Sequence, residues 1–229
     1  MGKSPSEIES TGNEALADER PVAAKASPVQ QRAYRTRAAL LEAVETVVAG
    51  QGAAAVTTTA IAARAGVSVG TLYRYYADRD ALLLAAYDAT VERIVAACGE
   101  ALSALPAGLA MEDAARLLLD VYLDAAEAIP AHAGLLKAMR AIRTIEADQA
   151  GAMEMTVVAS IFAPFFGKYA PGVAARPERL HFTAVLIGSL VDLYLLAPGS
   201  GAERAALRRE VEAHLLLALE RMNQADKTG

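Results

Sequence analysis

Hydroxyl, guanidinium and glycine residues are concentrated in one short stretch, from Thr57 to Arg79, with the sequence TTTAIAARAGVSVGTLYRYYADR. Thr57 and Ser68 are suited to cap the first turns of two short helices. Gly66, between them, can adopt the left-handed conformation that ends the first helix. The stretch therefore predicts two short helices joined by a tight turn.

The second of these helices carries two different faces. Leu72 and Tyr76 lie four residues apart and so share a face that suits a core. Thr71, Arg74 and Tyr75 lie on another face, where they have no core to fill. Their hydroxyl and guanidinium groups suit phosphates and base edges. This arrangement is typical of a helix-turn-helix that contacts DNA.

Residues 60–83, AIAARAGVSVGTLYRYYADRDALL, resemble the DNA-binding signature of the tetracycline-repressor (TetR) family. In that family Phe is usual at the position of Tyr76 and Lys is commoner at that of Arg79; both changes keep the physical role. The resemblance covers only the N-terminal third of the chain. It implies an all-α fold, in which a three-helix helix-turn-helix domain precedes a C-terminal helical ligand-binding and dimerisation domain. It also implies a cytoplasmic homodimer that binds double-stranded operator DNA.

The composition agrees with a helical protein that has a large core. Of 229 residues, 54% are apolar and 21% charged, Ala and Leu dominate, and β-branched runs are few. The single cysteine, Cys98, excludes an internal disulfide and is expected to be a small apolar filler on a helix. The most apolar run, 182–197, is shorter than a membrane span and contains Asp192, so we expect a buried helix and no membrane association. No signal peptide is expected.

The charge distribution points to the same N-terminal segment. The net charge of −5 argues against a protein that coats nucleic acid indiscriminately. Residues 28–80 nevertheless carry six arginines against four carboxylates, a local excess of +2, whereas residues 81–229 are acidic. So small an excess of positive charge can arise by chance. The alternative is that this segment is basic because it faces DNA.

The candidate DNA contacts lie in this basic segment. Arg74 is expected to reach a base edge, because a bidentate guanidinium suits guanine. Arg79 is expected to meet a phosphate at the first turn of the next helix. The resemblance places Arg32, Arg35 and Arg37 beside phosphates or the minor groove, and a solvated helix start is the alternative. The full set of expected DNA contacts is Arg32, Arg35, Arg37, Thr57, Thr59, Ser68, Val69, Gly70, Thr71, Tyr73, Arg74, Tyr75 and Arg79.

Glycines, prolines and composition divide the chain into three parts. Residues 1–27 are rich in Ser, Glu, Ala and Pro and are predicted to be a disordered tail. Residues 28–80 form the predicted DNA-binding domain, and residues 81–229 form the helical ligand-binding and dimerisation domain. Helices are predicted near 28–49, 57–65, 68–76, 78–105, 111–128, 131–143, 146–168, 176–197 and 201–223. The helix 78–105 is expected to link the two domains.

The last two predicted helices are candidates for a dimer interface. Ala184 and Gly188 lie four residues apart, so another helix can approach closely. Leu207, Val211 and Leu215 form a Leu-rich face on the final helix. The resemblance implies a four-helix dimer interface built from two such helices of each subunit. The alternative is that these faces pack within one subunit.

The resemblance also implies a pocket for a small, mostly apolar effector in the second domain. Candidate pocket residues are Tyr122, Met139, Arg143, Met153, Phe162, Phe165, His181 and Asp192. Arg140 is a further polar group that can orient a ligand. For each Met and aromatic residue, a place in the core is the alternative. The three histidines lack metal-ligand spacing and no catalytic motif occurs, so neither a metal, a cofactor nor an enzyme activity is expected.

The sequence thus predicts a sequence-specific DNA-binding transcription regulator, a repressor released from a palindromic operator by a small, mostly apolar ligand. Two alternatives remain: a DNA-binding regulator without an inducer, and a helical ligand-binding module with a vestigial DNA-binding domain. The expected mechanism is a population shift, in which a ligand favours one separation of the two recognition helices.

Overall fold

A computed structural model describes residues 28–144 and 151–227, and no strand occurs within these two ranges. The predicted tail 1–27 and the predicted start of a helix at residue 146 lie outside the described residues. The helices are α1 (Pro28–Gln51), α2 (Thr58–Arg64), α3 (Val69–Tyr73), α4 (Arg79–Ser103), α5 (Met111–Glu127), α6 (His132–Ile142), α7 (Ala152–Val157), α8 (Ala163–Tyr169), α9 (Pro171–Ala174), α10 (Pro177–Leu196) and α11 (Ala202–Lys227). The all-α prediction is confirmed.

The N-terminal helix α1 packs one stripe into the core and leaves its first turns in solvent. Leu40, Val44 and Val48 are buried at four-residue spacing, and Val47, three residues after Val44, lies on the same helical face. Gly52 follows the helix with a φ of 81°, a conformation that disfavours other residues. The chain then makes one 3₁₀ turn, Ala53–Ala55, before α2.

Side-chain caps fix the two short helices that follow. The hydroxyl of Thr57 accepts a hydrogen bond from the backbone N–H of Ala60 at 3.2 Å. The hydroxyl of Ser68 accepts one from the N–H of Thr71 at 3.0 Å. Between the helices, Gly66 has a φ of 68°. Each predicted cap and the predicted turn glycine therefore occupy the positions that the sequence indicated.

The long helix α4 runs from the helix-turn-helix into the body of the protein. The carboxylate of Asp78 caps it by accepting a hydrogen bond from the N–H of Ala81 at 2.7 Å. The helix packs against α1 on one side and against α5 and α6 further along. A shift of α4 can therefore change the position of the helix-turn-helix.

Two irregular elements lie between α7 and α10 and are not among the predicted helices. A π-helical turn, Val158–Phe162, joins α7 to α8, and the short helix α9 precedes α10. Pro164, at the start of α8, has no N–H to donate to the carbonyl of Ser160. The loss of that helical hydrogen bond accounts for the wider local winding.

Four of the five residues predicted for the dimer interface pack within the subunit, and the fifth, Gly188, is exposed. Val211 and Leu215 of α11 are buried, and Leu207 packs half-buried against the same core. The reason is that α11 lies against α5 and α10, which cover its Leu-rich face. Ala184 of α10 is also buried. The alternative of packing within one subunit is therefore correct for this face.

A different apolar surface remains exposed on these helices. Phe182 and Leu193 of α10 are 65% and 59% exposed, and Leu186 and Leu196 lie on the same side of the helix. On α11, Leu217 is also exposed. We call these five residues the outer apolar face. By length and composition, α10 is also long and apolar enough to cross a membrane. One such helix is weak evidence for a membrane span, because core helices of soluble proteins can have the same length and composition.

Candidate nucleic-acid interface and cavity

The short helix α3 presents a bare surface on a buried base. Leu72 is fully buried and Tyr76 nearly so, which fixes the helix on the domain. Gly70, Tyr73 and Arg74 are exposed, with 52% of Tyr73 open to solvent. A Cβ on Gly70 would approach only the hydroxyl of Ser68, at 3.9 Å, so another backbone can come close. We call Gly70, Tyr73 and Arg74 the α3 surface.

Two residues predicted on this surface are partly withdrawn from it. The helix ends at Tyr73, and Arg74 is its C-cap. The predicted helical face of Thr71, Arg74 and Tyr75 therefore does not extend as far as Tyr75. Tyr75 lies half-buried against the core. Thr71 is half-buried, and its hydroxyl lies 2.9 Å from that of Ser68. Thr71 and Tyr75 are therefore less accessible than the α3 surface, and their contact with DNA stays a prediction.

The side chain of Arg79 is partly exposed and bonds to neighbouring groups of the domain, so its predicted contact with a phosphate stays a prediction. Its Nε donates to the carbonyl of Val56 at 2.9 Å and its Nη2 to that of Ala53 at 2.8 Å. Its Nη1 donates to Asp80 at 3.0 Å. The guanidinium thus joins the 3₁₀ turn to the start of α4. A backbone contact between this helix start and a phosphate stays a prediction.

The remaining predicted DNA contacts are exposed or lie at helix caps. Arg32, Arg35 and Arg37 lie on the first turns of α1, before its buried stripe begins at Leu40, and all three are exposed. Thr59, on α2, is exposed as well. Thr57 and Ser68 serve as N-caps, and Val69 is half-buried at the start of α3.

A cavity of about 140 Å³ lies between α4, α5, α6, the segment from α7 to α8, α10 and α11. Of the predicted pocket residues, Tyr122, Phe162, Phe165 and Asp192 line it. The walls are otherwise mostly aliphatic, and Cys98 contributes its thiol, whose pKa burial raises to about 12. The cavity can therefore hold an apolar group.

Four predicted pocket residues do not line the cavity. Met139 is buried on the side of α6 that packs into the core. Arg143 turns towards α4, where its Nη1 and Nη2 donate to the carboxylate of Asp88 at 3.2 and 3.0 Å. Met153 packs half-buried against the core, and His181 lies half-buried at the start of α10. These four residues do not form the wall of this cavity, and their role in ligand binding stays a prediction.

The polar groups of the cavity come from three helices. Arg140 of α6 bonds to Asp192 of α10 through Nε, at 2.9 Å, and through Nη2. Glu154 of α7 lines the cavity, and its Oε1 atom is buried. Burial raises the pKa of the Tyr122 phenol, and the carboxylates of Asp192 and Glu154 raise it further. Tyr122 is therefore a neutral hydrogen-bonding group at neutral pH.

Ala184 and Gly188, predicted to admit a partner helix, border this cavity instead. Together with Asp192 they lie at four-residue spacing along one side of α10. Their small size leaves the space that the cavity occupies. The four-residue spacing of Ala184, Gly188 and Asp192 indicates from the sequence that they lie on one side of α10. No sequence pattern indicates that Glu154 lies at the same cavity. Within the described residues, no group of three or more potential metal ligands occurs.

Residues 40–86 match the profile of bacterial regulatory proteins of the tetR family. These residues include the buried stripe of α1, the whole helix-turn-helix and the start of α4. Residues 40–86 therefore form a DNA-binding domain of the TetR family. TetR-family regulators bind DNA, act as dimers and are generally not enzymes. This chain is accordingly a TetR-family DNA-binding transcription regulator.

Several solved structures share the fold over most of this chain. The repressor AlkX of Dietzia sp. strain DQ12-45-1b, implicated in biodegradation of n-alkanes, is 17% identical, with a TM-score of 0.55 over 79% of this chain and 95% of that one. A TetR-family regulator of Streptomyces coelicolor is 19% identical, with a TM-score of 0.57 over 82% and 99%. The fatty acid degradation regulator FadR of Bacillus halodurans is 15% identical, with a TM-score of 0.53 over 84% and 96%. No curated protein matches the chain.

Proposed function

We propose that this TetR-family regulator is a repressor that binds a palindromic operator as a homodimer and is released by a small ligand. Residues 28–80 are the DNA-binding unit, and residues 81–229 are the dimerisation and ligand-binding unit. The observation that carries the proposal is the α3 surface, exposed on one side while Leu72 and Tyr76 hold the helix from the other. An exposed, rigidly held polar surface suits a major groove.

The proposed contacts divide into base readout and positioning. Arg74 reaches a guanine edge, because its guanidinium is exposed and can donate two parallel hydrogen bonds. Tyr73 donates its hydroxyl to a phosphate, and Gly70 allows the backbone to approach the duplex. Arg32 and Arg35, exposed at the start of α1, contact phosphates or the minor groove.

A second subunit packs against the outer apolar face and supplies the second α3 surface. Exposed Phe182 and Leu193 on α10 and Leu217 on α11 are the kind of apolar surface that monomers rarely expose. A two-fold axis through this face pairs α10 and α11 of both subunits in a four-helix interface. The two α3 surfaces then meet successive major grooves, about 34–36 Å apart.

The contacts of α6 support a route from the cavity to the DNA-binding unit. One end of α6 is joined to α10 through Arg140 and to α4 through Arg143. Near its other end, Gly134 lies so close to α1 that a Cβ there would come within 2.7 Å of Val48 Cγ1. A ligand that moves α6 therefore acts on both helices that carry the helix-turn-helix, and shifts the population of DNA-binding conformations.

Footprinting with the purified protein on the DNA that flanks its own gene tests this function. We expect a protected site with two-fold symmetry, and an affinity that falls as salt is raised. Arg35→Ala should weaken binding to all sequences and reduce the salt slope by about one. Lys137→Ala, which removes an exposed charge from α6, is the control and should leave affinity unchanged. Absence of any protection at moderate salt would refute the proposed function.

A further inference from the structure

Tyr122 carries the one hydroxyl group among the described residues that line the cavity. Within residues 28–144 and 151–227, no hydrogen bond joins this hydroxyl to another residue. We propose that the effector is a compact, uncharged molecule, one aromatic ring with a hydrogen-bond acceptor such as a ketone oxygen, and that Tyr122 donates a hydrogen bond to that acceptor. This inference rests on the proposed function, because it names the ligand class of the same regulator and the residue that recognises it.

The Tyr122 hydroxyl is suited to donate this hydrogen bond. Burial raises the pKa of the phenol, and the charge of Asp192 raises it further, so the group keeps its proton at neutral pH. A hydrocarbon ligand would exclude water from the hydroxyl and leave it without a hydrogen bond, whereas a ketone oxygen accepts one. A ligand with such an oxygen therefore avoids the cost of an unpaired hydroxyl group.

The charged groups at the cavity favour an uncharged ligand. Three charged side chains line it, Arg140, Glu154 and Asp192, and each already interacts with other groups of the protein. Arg140, for example, donates to Asp192 through both Nε and Nη2. An ionised ligand would lose its hydration in a mostly apolar space and would have to weaken one of these contacts to gain a partner. An uncharged ligand leaves all of them in place.

The aromatic side chains of the cavity suit a ligand ring. Phe162, Phe165 and Phe166 line it together with aliphatic side chains of α5, α10 and α11. Phe165 and Phe166 meet edge to face, with ring centroids 5.3 Å apart. Aromatic rings prefer such edge-to-face or offset contacts, so a ligand ring can extend the same packing.

The size of the cavity limits the ligand to about one ring. Its volume of about 140 Å³ is close to that of an engineered protein cavity, about 150 Å³, that binds benzene. A single ring with a short substituent therefore suits the space. A long acyl chain would require the cavity to open further.

The cavity also touches both helices through which the proposed ligand acts. Cys98 of α4 and Arg140 of α6 line it. Helix α4 begins directly after the helix-turn-helix, and α6 lies close to Val48 of α1 at Gly134. A ligand that occupies the space between α4 and α6 therefore acts on the helices that hold the DNA-binding unit.

Four matched probes test the ligand class on the full chain: acetophenone, isopropylbenzene, 1-phenylethylamine and benzoate. Each has one phenyl ring with a branched substituent of the same size, and they differ in charge and in hydrogen-bonding groups. Calorimetric titration at pH 7 should show that acetophenone and isopropylbenzene bind, and that the ammonium ion and the carboxylate bind more weakly than acetophenone. Acetophenone should also remove the footprint on the operator.

A variant of Tyr122 tests the hydrogen bond. Tyr122→Phe removes the hydroxyl and keeps the ring, so it should lower the affinity for acetophenone about fivefold and leave that for isopropylbenzene unchanged. Tyr169→Phe is the matched control, because it removes a buried hydroxyl that lies outside the cavity lining, and it should change neither affinity.

Several results would overturn the inference. No binding of any probe, or tighter binding of 1-phenylethylamine or benzoate than of acetophenone, contradicts the uncharged class in the wild-type protein. An equal effect of Tyr122→Phe on acetophenone and isopropylbenzene, or no effect on either, contradicts the hydrogen bond. Acetophenone binding that leaves the footprint intact contradicts its class as effector. A footprint without ligand separates these failures from a failure of the proposed function, because operator binding by the free protein does not require an occupied cavity.

Discussion

Tyr76 places a hydroxyl group inside the helix-turn-helix core. The Tyr76 oxygen is buried and has no hydrogen-bond partner within the described residues. Such a group costs about 1–3 kcal/mol relative to an apolar side chain of the same shape. The TetR resemblance makes Phe the usual residue at this position, and Phe removes the oxygen while keeping the ring.

We therefore expect Tyr76→Phe to raise the free energy of unfolding by about 1 kcal/mol, measured by urea denaturation. DNA affinity should stay the same, because the side chain faces the core. Tyr73→Phe is the control: its hydroxyl is on the exposed α3 surface, 3.4 Å from the Thr58 hydroxyl, and its removal should leave stability within about 0.5 kcal/mol. A loss of stability in Tyr76→Phe would mean that the hydroxyl is satisfied.

His132 is a second buried polar residue, at the start of α6. Its ring stacks on Tyr87 with centroids 5.7 Å apart, and its Nδ1 lies 2.8 Å from the Thr90 hydroxyl. Thr90 donates its own proton to the Tyr87 carbonyl, so the neutral His132 ring donates from Nδ1. Burial, together with the smaller effect of the Arg93 charge, lowers the pKa of His132 to about 4.

This pKa predicts a loss of stability in mild acid. The unfolded chain binds the proton with a pKa of about 6.5 and the folded chain only near 4, so protonation favours unfolding. Stability is complete above about pH 6.5 and falls as the pH is lowered towards 4, by about 2 kcal/mol at pH 5. Urea denaturation at pH 7 and pH 5 measures this loss. His132→Gln should reduce it, and His214→Gln, at an exposed position, should not.

At the scale of elements, the contact between α1 and α6 joins the DNA-binding unit to the rest of the protein. A Cβ on Gly134 would lie 2.7 Å from Val48 Cγ1, well inside van der Waals contact. Gly134→Ala should therefore push the two helices apart and lower the free energy of unfolding by about 1–3 kcal/mol.

A double-mutant cycle tests the cause of that loss. Val48→Ala removes the methyl group that the new Cβ meets, so the cost of Gly134→Ala should be smaller in that background. Gly167→Ala, on α8, is the control, since no atom lies within 4 Å of its Cβ position and alanine favours a helix. Additive effects of Gly134→Ala and Val48→Ala would contradict the proposed contact.

The sequence predicts where most of these helices begin and end. Glycines, prolines and caps are local signals, and the bounds of α4, α5 and α10 lie within two residues of those expected. The sequence indicates less well which faces of the last two helices lie in the core and which face a partner. In α10 both sides are apolar, with Leu180 and Val191 inside and Phe182 and Leu193 outside, so periodicity cannot indicate which side faces a partner.

The same distinction between local and tertiary signals applies to the residues of the candidate sites. Thr57, Gly66 and Ser68 act within a few residues of themselves, so their roles follow from spacing. Arg79 bonds to carbonyls more than twenty residues away, and Glu154 reaches the cavity from α7. Roles that depend on tertiary contacts between distant segments carry no local sequence signal.

For the whole molecule, the outer apolar face should control assembly. We expect Leu193→Glu to convert the dimer into a monomer at micromolar concentration, because it puts a charge into the centre of the proposed interface. Light scattering after gel filtration measures the mass, and operator affinity should fall together with dimerisation. Leu117→Glu, at a partly exposed leucine of α5, is the matched control and should remain dimeric. A Leu193→Glu dimer of unchanged mass would show that another surface forms the interface.

On the proposed function, the α3 surface of each subunit reads the bases of one half of the operator. The most direct test is the base preference at every operator position, measured by selection from a randomised operator, for the wild type and for Arg74→Ala. We predict that Arg74→Ala loses preference at one pair of positions related by the two-fold axis, at a cost of about 1–3 kcal/mol, and keeps its preference elsewhere. Identical base preferences of the wild type and Arg74→Ala would show that Arg74 does not read a base in the operator.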